Sequence, residues 1–295
     1  MRGITQKDSS LASIVLRGVG QIMLQENQVT GFLFLAGIFY SSFLMGLAAV
    51  LATVSGTATA FVLNYERSDI EKGLYGFSAA LVGVAMMLFL KPVLFSWILV
   101  ITGAALATVI QHFFIRRKIP VFTLPFVLVT WAIILLQHFN VTDVRPTQPV
   151  AVGATVRDFG FVFRGYGQVI FQDSVIAGAL FFIAVLVSSP ISALYGLAGG
   201  ILSAVVALHF PLQINDISMG LFSYNAVLCA IVFAGPKLKD GFWVLFSVLL
   251  SFFLQYFMVE FHYVPLTFPF VLASCFTLFF RRNSSFIITR QIKHR

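Results

Sequence analysis

Read for hydropathy alone, the chain is a series of apolar stretches separated by short polar breaks. Stretches at about 28–45, 46–63, 73–90, 93–114 and 120–139 are followed by others at about 174–189, 191–208, 220–235, 242–259 and 264–280. Each reads as a span of roughly 17 to 25 residues through about 30 Å of hydrocarbon. Two shorter apolar segments, about 9–21 and about 155–168, stand before the two sets and are too short to cross. The pattern predicts an all-α polytopic membrane protein of ten spans.

The polar breaks carry a charge asymmetry that orients the spans. Counted from a cytoplasmic N-terminus, the inner side holds Arg2, Lys7, Arg67, Lys72, Arg116, Arg117, Lys118, Lys237, Lys239, Arg281, Arg282, Arg290, Lys293 and Arg295, which is 14 of 19 cations. Lys91, Arg145 and Arg157 fall outside. Cationic loops stay inside, so both termini are expected in the cytoplasm.

The pattern also repeats. Arg17 to Phe34, RGVGQIMLQENQVTGFLF, returns as Arg164 to Phe181, RGYGQVIFQDSVIAGALF, with eight of eighteen positions identical. The same offset of 147 aligns Gly73-Leu74-Tyr75-Gly76-Phe77-Ser78-Ala79 with Gly220-Leu221-Phe222-Ser223-Tyr224-Asn225-Ala226. A third pair, Thr123-Leu124-Pro125-Phe126 and Thr267-Phe268-Pro269-Phe270, is offset by 144. A fixed period marks internal repetition, here of whole halves, residues 1–145 and 146–295. Five spans is an odd number, so the second half enters from the opposite face. The expected fold is two inverted-topology repeats, each of five transmembrane helices plus one re-entrant half-helix. In such pairs the substrate site lies near the midplane, at the repeat interface.

Composition agrees: 59% of residues are hydrophobic and 10% charged, with mean hydropathy +0.95, where a soluble domain has about 25% charged residues. The net charge of +8 sits in loops and tail and acts as a topology signal, so no nucleic-acid partner is expected. Cys229 and Cys275 fall inside apolar stretches and read as buried fillers. No metal spacing, nucleophile and base pair or cofactor motif is recognisable, so neither an enzyme nor a cofactor is expected. Residues 1–10 lack an apolar core followed by a cleavage site, and no removable signal peptide is expected.

The repeated polar positions carry the candidate chemistry. Gln21 and Gln168 each follow a Gly-x-Gly, and a carboxamide offers donors and an acceptor without charge. That suits a neutral polar solute; the alternative is a glutamine that joins two helices. Gly18, Gly20, Gly165 and Gly167 are expected to line a pore, with close helix packing as the alternative. Leu24 with Phe171, and Phe77 with Tyr224, could form flat apolar walls that admit a planar molecule edge-on. Thr123 and Thr267 precede Pro-Phe, where proline frees a carbonyl one turn earlier. Glu26 and Asp173 immediately precede a span and are expected at a vestibule or interface, paired with Arg17 and Arg164, rather than in an ion-coupling site.

Leu16-Arg17-Gly18-Val19-Gly20-Gln21, Gly73-Leu74-Tyr75-Gly76-Phe77, Gly220-Leu221-Phe222-Ser223-Tyr224-Asn225 and Ile119-Pro120-Val121-Phe122-Thr123-Leu124-Pro125-Phe126 resemble the urea transporter family over roughly residues 10–280. The last is similar to that family's signature of Leu-Pro, two residues, Thr, one residue, Pro-Phe, with Ile119 for Leu. The resemblance implies an inner-membrane homotrimer, embedded in lipid, with a pore in each subunit through which urea crosses without ion coupling. It also implies that Gln21 and Gln168 bind urea at the two mouths beside Leu24, Phe77, Phe171 and Tyr224. Thr123 and Thr267 would line the narrow middle. The chain departs from the family's pattern at Ser78, where many relatives have Asn and Asn225 keeps it, and at Ser223, which replaces a Gly. The second threonine motif, Val264-Pro265-Leu266-Thr267, has one residue fewer between Pro and Thr. Alternatives are an ion-coupled amide transporter, which needs Glu26 and Asp173 in the path, and a channel for ammonia or water.

Overall fold

Serine and asparagine caps, rather than the apolar stretches alone, set the helix boundaries in a computed structural model of the chain. The structure describes residues 10–138 and 160–293, with side chains over 10–136 and 160–283. Arg2, Lys7, Arg145, Arg157 and Arg295 from the topology argument lie outside the described residues, as do residues 1–9 of the signal-peptide reading and the side chains of Arg290 and Lys293. All described elements are helical. They are α1 (Leu11–Gly20), α2 (Gln28–Ser41), α3 (Phe43–Val62), α4 (Arg67–Glu71), α5 (Phe77–Phe89), α6 (Leu94–Arg116), α7 (Leu124–His138), α8 (Gly160–Gln168), α9 (Val175–Ser188), α10 (Pro190–Ala207), α11 (Ile214–Ser218), α12 (Tyr224–Phe233), α13 (Leu238–Glu260) and α14 (Phe268–Lys293).

Each predicted stretch contains one helix, but the helices are not equal in length. Among the described residues α3, α6, α10 and α13 are long and apolar enough to cross a membrane by themselves. The other apolar helices, such as α2 and α9 with fourteen residues each, are shorter than the stretches that contain them. Asn27 and Ser174 cap α2 and α9, their side chains accepting from Val29 N–H and Ala177 N–H. Ser42 and Ser189 end those helices with extended backbone and cap α3 and α10 by accepting from Met45 and Ser192 N–H. The predicted 45/46 boundary thus moves to Ser42. The thirteen residues of α5 rise only about 20 Å, and Phe77 to Met87 are all buried. With protein on every side, α5 need not match the thickness of the lipid; α12 is buried in the same way.

Contacts recur at the sequence offsets. Phe34 of α2 meets Phe181 of α9 edge-on at 5.2 Å between centroids, 147 positions apart. Trp131 Nε1 of α7 donates to the Val264 carbonyl at 2.9 Å, and 144 positions on Cys275 Sγ of α14 faces the Pro120 carbonyl at 3.6 Å. Each terminal helix thereby holds the loop that leads into the other. Gly31 and Gly178 let α2 and α9 cross α1 and α8 in contact, since a Cβ there would run into the Leu16 or Phe163 carbonyl oxygen.

Candidate functional site

The two short helices α1 and α8 end in matching turns. Gln25 N–H donates to the Gly20 carbonyl at 3.1 Å and Gln172 N–H to that of Gly167 at 2.9 Å. The buried carboxamides of Gln25 and Gln172 donate back to Met23 and Ile170 carbonyls at 2.8 and 2.7 Å. Leu24 and Phe171, at φ 59 and 58, take the left-handed conformation that closes each turn. The expectation that the paired glycines line a pore is corrected here. All four are buried. A Cβ on Gly18 would meet Gly76 Cα at 3.1 Å, and one on Gly20 would meet the Gln25 carbonyl at 2.6 Å, so these glycines serve close packing.

Arginine and glutamine then dock each short helix onto the end of α4 or α11 and the turn that follows it. Arg17 and Arg164 donate through Nη1 to the Glu71 and Ser218 carbonyls at 3.0 and 3.2 Å. Gln21 and Gln168 donate through Nε2 to the Lys72 and Met219 carbonyls, both at 3.1 Å. The loops can present those carbonyls because Gly73 and Gly220, both at φ +78, turn the chain where a side chain would be strained. The glutamines thus join two helices, while each keeps its Oε1 as an acceptor.

A cavity of about 220 Å³ opens where α1 ends. Gln21, Leu24, Phe77 and Thr123 all line it, together with Gln111 and Phe270, and none of its described lining residues is charged. Leu24 is exposed, Phe77 is buried, and Thr123 is buried with 2% of its surface accessible. Thr123 Oγ1 lies 2.6 Å from Thr267 Oγ1, so Thr267 joins the site through Thr123. One turn before Pro125 and close before Pro269, the Val121 and Pro265 carbonyls accept from Leu124 and Phe268 N–H at 3.0 and 3.1 Å. The prolines start α7 and α14 rather than expose those acceptors.

Gln168, Phe171 and Tyr224 do not line this cavity. Phe171 packs edge-on against Phe126 and Phe89, at 6.0 and 6.3 Å between centroids. The Tyr224 hydroxyl donates to the Leu266 carbonyl at 2.6 Å, next to Thr267. Glu26 and Asp173 are exposed and off the cavity, and Arg164 reaches Asp173 through its backbone carbonyl at 3.2 Å. Sequence reasoning missed Gln111 and Gln255, which are buried and 144 positions apart in α6 and α13. The offset carried by the threonines would have found them.

A family model described as urea transporter matches residues 12–282, which takes in both short helices, the cavity and both threonine motifs. The chain belongs to the urea transporter family. The family is one of membrane transport proteins rather than of enzymes. Urea transporter 1 of Ovis aries is 30% identical over 239 residues, and Urea transporter 1 of Rattus norvegicus 28% identical over 240. Urea transporter 1 of Capra hircus is 29% identical over 239 residues. Each alignment covers 75% of this chain and 62% of the relative, so the chain accounts for under two thirds of the proteins it resembles.

Proposed function

We propose that the chain is a passive, channel-like urea transporter, built from two inverted halves, residues 1–145 and 146–295, with the pore between them. The observation that carries this reading is the Thr123–Thr267 contact at 2.6 Å, between two buried residues of which Thr123 lines an uncharged cavity. A residue meets its own repeat equivalent only near an axis relating two copies, and Phe34 with Phe181 supports the same axis.

The chemistry of the lining fits urea. Urea is planar and neutral, with four N–H donors and one acceptor, so it needs acceptors in place of water. Leaving its donors unpaired on entry costs about 1–3 kcal/mol each. Gln21 Oε1 and the paired hydroxyls supply acceptors, while Leu24 and Phe77 supply apolar surface that passes a flat molecule edge-on. An ion would lose far more, because no lining residue offers a compensating charge. Gln168, Phe171 and Tyr224 form the corresponding mouth in the second half, and Thr267 lies beside Thr123 in the narrow middle. The names of the relatives, each a urea transporter, support urea as the substrate. The chain sits in the inner membrane as a homotrimer with one pore per subunit and both termini in the cytoplasm.

The test is urea efflux from proteoliposomes against protein-free liposomes of the same lipid. Efflux at least about tenfold faster than from empty vesicles is expected. Equal rates would overturn the reading.

A further inference from the structure

The repetition that pairs Thr123 with Thr267 breaks at Asn225, where the first half has Ser78. In the second half the buried carboxamide of Asn225 closes a network. Its Nδ2 donates to Gln255 Oε1 at 2.9 Å and to the Leu266 carbonyl at 3.2 Å, and its Oδ1 accepts from Phe270 N–H at 3.2 Å. The Tyr224 hydroxyl donates to the same Leu266 carbonyl, and Gln255 Nε2 donates to the Leu221 carbonyl. Each polar side-chain atom of this cluster has a partner.

The positions that correspond in the first half are Phe77, Ser78, Gln111 and Phe122. Phe122 shares with Leu266 the same φ of 46, so the two carbonyls leave equivalent turns. Phe77 has no hydroxyl, and Ser78 has no carboxamide, so neither of the donors that serve Leu266 exists for Phe122. Among the described residues Ser78 Oγ and Gln111 Oε1 have no hydrogen-bond partner, although Ser78 is 2% and Gln111 4% exposed. Buried polar atoms in native structures are nearly always paired. Gln111 and Phe122 both line the cavity that holds Gln21 and Thr123.

The identity of the missing partner follows from these atoms. Gln111 Oε1 and the Phe122 carbonyl only accept, and Ser78 Oγ accepts or donates. That excludes an anion. The uncharged lining disfavours a cation. The carboxamide that serine lacks occupies about the volume of one water, roughly 30 Å³. We propose that Ser78, Gln111 and the Phe122 carbonyl form a binding site, present in the first half only, for a small neutral hydrogen-bond donor. The donor is an O–H or N–H group entering from the cavity: a water, or an amide nitrogen of the solute. The two mouths are therefore chemically unequal, one sealed by Asn225 and one open to a ligand. The site is defined by its acceptors and does not depend on which solute is transported.

The experiment is high-resolution structure determination of the complete chain, as wild type, Ser78→Asn and Gln111→Met, each with and without saturating urea. In the wild type a density feature is expected within hydrogen-bond distance of Ser78 Oγ and Gln111 Oε1. If urea leaves the feature unchanged the ligand is water; if a planar feature replaces it, the ligand is an amide nitrogen. Either variant should lose the feature, with Gln111→Met covering the case in which Ser78→Asn fails to fold. A wild type in which nothing bridges the two side chains would overturn the proposal. So would the same feature persisting in both variants.

Discussion

Thr123 and Thr267 place their hydroxyl oxygens 2.6 Å apart across 144 residues of sequence, each with 2% of its surface accessible. Between two hydroxyls only one proton lies in the shared bond, so one threonine donates and the other keeps its proton for a third group. The pair can reverse that assignment without moving a heavy atom. A solute that arrives with donors meets acceptors, and one that arrives with a carbonyl meets the free proton.

Replacing either threonine by valine removes the shared bond and leaves the other hydroxyl buried and unpaired. Thr123→Val and Thr267→Val should each lower stability by about 1–3 kcal/mol. The double variant should cost less than the sum, because the second substitution removes the orphan left by the first. Thermal unfolding of the three variants checks this. Urea flux should fall about tenfold in each, as a lost hydrogen bond of about 1.4 kcal/mol implies. Additive losses of stability would show that the hydroxyls do not depend on each other.

Gln21→Ala and Gln168→Ala each remove a side chain that donates to a loop carbonyl at 3.1 Å. The expected cost is about 0.5–1.5 kcal/mol of stability, small enough to leave the protein folded. Efflux from liposomes should slow in both. Full flux in both purified, folded variants would leave the glutamines as helix clamps only.

Gly31→Ala and Gly178→Ala should fail at the level of assembly. Each added Cβ runs into a carbonyl oxygen of the neighbouring short helix, which is backbone and cannot rotate away. Overpacking commonly costs about 1–3 kcal/mol, and these contacts fall at the upper end. Size-exclusion profiles should show loss of the monodisperse species in both. A normal profile and melting temperature would mean that the α1–α2 and α8–α9 crossings are looser than described.

Glu26→Gln with Asp173→Asn should leave urea flux unchanged. Both carboxylates are exposed and neither lines the cavity. A pH series of efflux rates between the double variant and the wild type checks this, and flat, coincident profiles are expected.

Much of the fold was legible because lipid imposes a simple pattern. Ten apolar stretches contain ten helices, and the Gly-x-Gly-Gln segments end as short helices at Gln21 and Gln168. The boundary between α2 and α3 was not legible from hydropathy, because Ser42 is one small polar residue in an apolar run, and its capping role depends on backbone conformation. Nor was the part played by the glycines. Gly20 packs against the Gln25 carbonyl, a contact between residues close in sequence that only the turn at Leu24 creates.

Of the candidate site, Gln21, Leu24, Phe77 and Thr123 were found together because repetition marks them in sequence and the cavity gathers them in space. Gln111 escaped because a lone glutamine within an apolar helix carries no local motif. Its meaning comes from Gln255, which satisfies the same amide with Asn225 at 2.9 Å. The inequality of the two halves was visible in the Ser78 and Asn225 pair, but its consequence needed the orphaned Gln111 Oε1.

The most direct test of the central account is stopped-flow urea efflux from liposomes containing the purified chain, with and without imposed proton and sodium gradients. An uncharged path closed by two hydroxyls predicts fast efflux at one rate under all conditions. Efflux that rises or falls with either gradient would contradict it and move the mechanism to Glu26 and Asp173.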